Sequence, residues 1–194
     1  MSGLSRRSNK RPGNSYWDSC IFLAILTGEV RLQEETDELD RQQTLFDEGR
    51  LHLYTSTLTT VEVLDSLLPA DAANQLRLVF QRRNFHLEQV TQRVCLKAHA
   101  IRDYYATAHD GFGTFSTPDA IHLATAVETG CDYFFTFDGS GGKEKHKGFR
   151  TILPAVQSLK TQFGLTVVRP CLLPDPNKNL ALEFDTIAAD DEEM

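Results

Sequence analysis

Apolar residues along this chain fall into short runs that alternate with amphipathic stretches, and glycines, prolines and capping residues mark the joins. Residues 15–18 read as a short strand leading into a helix through Leu26, stopped by Gly28. A polar helix over 32–48 ends at Gly49, and 51–55 is a strand. Ser56 or Thr57 caps a helix predicted over 58–68. A further helix over 71–81, a strand over 85–90 and a long helix over 91–106 follow. After a loop at 109–116, Thr117-Pro118-Asp119 opens a helix that ends at Gly130. Residues 133–137 form an apolar strand, 153–163 a helix and 165–169 a last strand. Short, mostly apolar strands alternating with helices imply an α/β fold of three layers, a parallel sheet covered by helices on both faces.

Sheets of that kind carry their sites at the carboxyl ends of the strands. Four acids fall there. Asp18 ends the first strand, Glu62 lies one to two turns into the helix after the second, Asp119 is in the first turn of the helix before 133–137, and Asp138 directly follows that strand. Each also has an ordinary reading. Asp18 and Asp119 stand where helices are capped or opened, Asp138 precedes Gly139 as turn residues do, and Glu62 could be solvated. Glu62 nonetheless sits among Val61, Val63 and Leu64, where an unpartnered acid is costly. A parallel sheet would gather several of these acids at one edge. Clustered like charges persist only with a cation or shared protons, and carboxylate oxygens suit Mg²⁺ or Mn²⁺. Such a site can activate water against a phosphodiester.

Composition sets outer bounds. At 194 residues, 41% hydrophobic and 24% charged, the chain fits one well-buried domain and is too short for two comfortable ones. The apolar run 20–26 is too short for a membrane span and lacks a cleavage site, so neither export nor a membrane is expected. Cys20, Cys95, Cys131 and Cys171 are far apart and predict reduced thiols in a cytoplasmic protein. Residues 1–13 read as a flexible basic arm, 14–170 as the ordered domain, and 171–194 as a mobile, proline-containing acidic tail. The net charge is −7; without the four positive charges of the arm and the six negative ones of residues 183–194, the body stands at −5. That balance alone leaves a nucleic-acid partner open.

Four blocks share one further property. Tyr16-Trp17-Asp18-Ser19-Cys20-Ile21-Phe22-Leu23, Ser56-Thr57-Leu58-Thr59-Thr60-Val61-Glu62, Thr117-Pro118-Asp119-Ala120-Ile121-His122-Leu123-Ala124 and Phe135-Thr136-Phe137-Asp138 resemble, in order and spacing, the segments of the PIN-domain family, and within it the VapC-like toxin ribonucleases. The resemblance covers roughly residues 15–170. It implies a five-stranded parallel sheet of order 3-2-1-4-5 with a pocket built by Asp18, Glu62, Asp119 and Asp138. It further implies one or two Mg²⁺ or Mn²⁺ ions held by Asp18, Asp119 and Asp138, with Glu62 a ligand through water or the general base. Ser56 and Thr136 would support these groups. The implied activity is endonucleolytic hydrolysis of RNA, with a cognate antitoxin as partner, and a homodimer is compatible with it. Phe137 departs from the family pattern, which often has Asn there, and the loop from Gly139 is looser than usual.

Several residues carry weaker expectations. Lys143, Lys145, Lys147 and Arg150 follow Asp138 and are the favoured phosphate contacts, with Arg77, Arg82 and Arg83 second. His122 and the acidic stretch 34–40 read as helix surface, and Tyr104 and Tyr105 as core. A non-catalytic PIN-like module binding RNA or protein, and a PIN nuclease of RNA processing, are the competing functions. A phosphotransferase would need a glycine-rich phosphate loop that the first strand lacks.

Overall fold

The computed structural model describes residues 13–64, 68–69, 71–108, 113–139 and 149–171. In chain order the elements are β1 (Gly13–Trp17), α1 (Ser19–Thr27), α2 (Gln33–Asp47), β2 (Leu51–Ser56), α3 (Thr59–Glu62), α4 (Ala72–Phe80) and β3 (Phe85–Glu88). They continue with α5 (Gln92–Ala106), β4 (Thr114–Phe115), α6 (Thr117–Thr129), β5 (Tyr133–Phe135), β6 (Phe149–Arg150), a 3-10 turn (Leu153–Ala155), α7 (Val156–Phe163) and β7 (Val167–Val168). Five strands form a parallel sheet of order β3-β2-β1-β5-β7. Counted within the sheet alone, this is the expected order 3-2-1-4-5.

Strand periodicity divides the core in two. Tyr16 and Phe134 point to one face, where they stack with ring centroids 5.1 Å apart and pack with Ile101, Phe115, Leu123 and Leu159. Trp17, Leu51, Leu53, Phe85 and Phe135 point to the other, against Phe22, Leu39 and Phe46. Each aromatic buried this way contributes about 1.5–3 kcal/mol, so both layers are firmly attached to the sheet. Central β1 pairs on both sides, with Tyr16 aligned to Tyr54 and to Phe134. Its carboxyl end, Asp18, is thereby fixed from two directions.

Local chemistry sets the element ends. Ser116, one residue before the expected opening, caps α6 by accepting from the Asp119 N–H, and Pro118 pre-sets the first turn. Gly130, at φ 67°, closes α6 in a left-handed conformation that costs other residues more.

Some expectations are corrected. Of the helix predicted over 58–68, the described residues form a single turn, α3, that ends where Val63 leaves helical geometry at ψ 92°; residues 65–67 lie outside the described ones. The strand predicted over 133–137 ends at Phe135, with the Thr136 N–H still donating to Val168 O of β7. A second sheet of two short strands, β4 with β6, joins Thr114 and Phe115 to Phe149 and Arg150. The acidic stretch of α2 is solvated only in part: Glu34, Asp37 and Asp40 are exposed as expected, whereas Glu35 and Glu38 are buried. Arg41 donates two hydrogen bonds to Glu38, and Arg169, just past β7, pairs with Glu35, tying α2 to the sheet edge. Tyr105 is core as expected, whereas Tyr104 is partly exposed.

Candidate active site

Asp18 begins the site. Its backbone N–H donates to Phe135 O, which locks the residue onto β5, and its Oδ1 accepts from the Ser19 N–H at 2.8 Å. The other oxygen accepts from the Thr136 hydroxyl at 2.8 Å and from the Cys20 thiol at 3.3 Å. Asp18 therefore caps α1 while facing the candidate site, and the two readings do not compete. The Thr136 hydroxyl oxygen also accepts from the Asp138 N–H, which brings the start of the fourth acidic segment to Asp18.

Glu62 ends α3, the turn that follows β2. Its Oε2 lies 2.8 Å from Nε2 of His122, and the same nitrogen is 3.8 Å from Asp18 Oδ1. On the far side of the ring, Nδ1 is 2.7 Å from the Tyr16 hydroxyl. His122 is thus buried among acids and is not on the helix surface. Burial opposes its charged form, but the Glu62 hydrogen bond and the charges of Asp18, Glu62 and Asp119 outweigh that and raise its pKa above the ordinary value. Burial, then the charge of Asp18, pushes the Tyr16 phenol well above its ordinary range, so it remains protonated.

One atom each from Asp18, Glu62 and His122 lies within 4.8 Å of the others. Two carboxylate oxygens and an imidazole nitrogen converging this closely fit a divalent cation, with a donor set softer than carboxylates alone. Asp119 stands beside the group, its Oδ2 accepting from the Ser116 hydroxyl. Asp138 has one oxygen committed to the Ile152 N–H at 2.8 Å, while its carbonyl accepts from the Leu153 N–H. Ser56 is buried and its hydroxyl accepts from the Leu58 N–H, shaping the turn that presents Glu62.

The expected phosphate contacts fare differently. Lys143, Lys145 and Lys147 lie outside the described residues. Arg150 is corrected: it is buried, donates to Gly113 O and covers the Tyr105 ring, because β6 pairing turns its side chain inward. Arg77 and Arg83 are on the surface, and Arg82 pairs with Asp47.

A family model described as PIN domain matches residues 15–140, and the chain belongs to the PIN-domain family. Comparison with curated proteins finds no match. Among solved structures the chain is similar to VapBC2 from Rickettsia felis bound to a DNA fragment from their promoter. There the TM-score is 0.54 at 9% identity, over 80% of this chain and 98% of that one. It is also similar to FitAB bound to an IR36 DNA fragment, with TM-score 0.52, 17% identity, and 84% and 99% of the two chains covered. A third likeness is to VapC20 of Mycobacterium tuberculosis, a sarcin-ricin loop cleaving toxin, at TM-score 0.46, 17% identity and coverage of 68% and 96%. At these identities the likeness is one of fold.

Proposed function

We propose that the chain is a Mg²⁺- or Mn²⁺-dependent endoribonuclease, the toxin of a toxin–antitoxin pair acting in the cytoplasm. The observation that carries this reading is the convergence of Asp18, Glu62 and His122 at the carboxyl edge of a PIN sheet, with Asp119 beside them. Acids in such proximity repel unless a cation or a proton lies between them. Asp18, Glu62 and His122 would hold the cation, with Asp119 and Asp138 as the flanking carboxylates of the pocket. When bound, a divalent cation polarises a phosphoryl oxygen and lowers the pKa of water.

The protein's own groups have separate tasks. Ser19, Thr136 and Cys20 fix both oxygens of Asp18, and Ser116 fixes Asp119. Without a cation, Glu62 Oε2 and His122 Nε2 share a proton that offsets the repulsion between the acids, and both atoms would give it up to act as ligands. Tyr16 holds the imidazole in register for both roles. Residues 14–170 are assigned to the nuclease domain, with 1–13 and 171–194 as appendages. Among the described residues no helix is long and apolar enough to cross a membrane. The similar solved complexes, VapBC2 and FitAB, are two-component assemblies on DNA, which supports a cognate antitoxin for this chain.

The test is incubation of total RNA with purified protein in Mn²⁺ or in EDTA, beside Asp18→Asn. Cleavage confined to the wild type with Mn²⁺ is expected. Equal behaviour of wild type and Asp18→Asn would make the chain a non-catalytic binding module.

A further inference from the structure

Arg31 lies in the connection between α1 and α2, and its guanidinium sits over the Phe137 ring at 3.8 Å from the centroid. Phe137 borders the candidate site through its backbone, while its ring packs in the core with Trp17 and Phe22. Its N–H donates to Cys20 Sγ, which is 3.3 Å from Asp18 Oδ2, and Asp138 is the next residue. The arginine is mostly enclosed, with a side-chain exposure of 19%. One amino group, Nη2, is held by Glu29 at 2.6 Å, while Nε is buried without a hydrogen-bond partner among the described residues.

An enclosed, unpaired N–H on a charged group is expensive, and such groups usually have an acceptor in the working state. Stacking on an aromatic ring leaves the edge of a guanidinium as its donor surface, the surface that matches a phosphate oxygen pair. An anionic strand approaching Asp18, Glu62 and Asp119 also needs a nearby positive charge. Of the described arginines at this edge, Arg150 is turned inward and Arg169 is paired with Glu35.

We propose that Arg31, seated on Phe137, binds a phosphate of the RNA strand next to the one being cleaved, exchanging Glu29 for that phosphate. This rests on the nuclease reading above. Phe137, where the family often has Asn, is the platform that orients the guanidinium. Glu29 is half-exposed and can leave the arginine for water.

The experiment measures binding of a fluorescent single-stranded RNA oligomer to the full chain carrying Asp18→Asn, across a salt series, with Arg31→Ala, Arg31→Lys or Glu29→Gln added. Arg31→Ala should weaken binding about tenfold. It should also flatten the slope of log affinity against log salt by about 0.7, the contribution of one phosphate. Arg31→Lys should keep the slope and recover part of the affinity. Glu29→Gln, which removes the competing carboxylate, should tighten binding with Arg31 present and much less beside Arg31→Ala, a dependence that a purely structural Arg31 would not produce. Melting temperatures of the variants check that each is folded. Wild-type affinity and slope in a folded Arg31→Ala protein would reduce Arg31 to a packing residue and leave the nuclease reading untouched. Absence of RNA binding by every form, with no cleavage by the wild type, would overturn both.

Discussion

Nε2 of His122 lies 2.8 Å from Glu62 Oε2, so an acid on a one-turn helix is held in place by a buried ring that α6 carries. The same ring meets the fully buried Tyr16 hydroxyl. Removing it takes one hydrogen bond from each partner. His122→Ala should cost about 2 kcal/mol in urea denaturation, about 1 kcal/mol for each of the two hydrogen bonds lost. His122→Phe, which restores volume without hydrogen bonds, should recover little. A loss below about 0.5 kcal/mol for either, the range of an ordinary surface change, would mean the ring does not hold this chain together.

Asp18 both caps α1 and belongs to the candidate site, and Asn can retain the first role. Asp18→Asn should change metal-free stability by less than about 1 kcal/mol, because Asn caps as well as Asp. Millimolar Mn²⁺ should raise the wild-type melting temperature by mass action on the native state, and raise that of Asp18→Asn much less. An equal rise in both proteins would place the cation elsewhere.

His52 and His86, on neighbouring strands, share a nitrogen-to-nitrogen contact of 2.8 Å with Tyr54 packed alongside. Burial and then the charge of His52 lower the His86 pKa, partly offset by Glu88. A depressed folded value means the unfolded chain takes up the proton first. The stabilising contribution is therefore complete above pH about 6.5 and is lost as pH falls through the folded value. Wild type should lose more melting temperature between pH 7.5 and pH 5 than His86→Gln. Identical losses would show that the pair does not sense acid.

The thiols should react in an order set by burial. Cys95 is exposed, whereas Cys131 is buried and its thiol is pushed up to about 12 by that burial. Burial, then the charge of Asp18, also raises Cys20. Iodoacetamide at pH 8 should modify Cys95 early, and Cys20 and Cys131 only after unfolding, as read by peptide mass spectrometry. Early modification of Cys20 would mean that the site edge opens in the native protein.

The parallel sheet and its acids were legible because their signals are local. Apolar runs such as Tyr133-Phe134-Phe135 bounded by glycine and acid mark strand ends, and the acids follow from those ends. His122 was not legible. Its neighbours Ala120, Leu123, Ala124 and Thr125 are all buried, so α6 has little polar face from which a surface residue could be told. The buried Glu35 and Glu38 misled for the opposite reason: their partners Arg169 and Arg41 neutralise them, one of them 134 residues away. The β4–β6 pair involves two residues on each side, too few for any periodicity to register. The α3 helix was overread because apolar spacing continues past Val63 while the backbone does not.

Gly139, at φ 95°, has no space for a side chain: a Cβ there would stand 3.0 Å from Pro154 and 3.1 Å from Thr151. Together with the hydrogen bonds from Ile152 and Leu153 to Asp138, this rivets the end of β5 to the segment that leads into α7 and β7. Pocket and sheet margin are therefore one mechanical unit. Any change that loosens β7, including loss of the Arg169 pair with Glu35, would be transmitted to the Asp138 carboxylate without touching the pocket itself. Asp138 would then be the acid through which damage at the sheet margin reaches the chemistry.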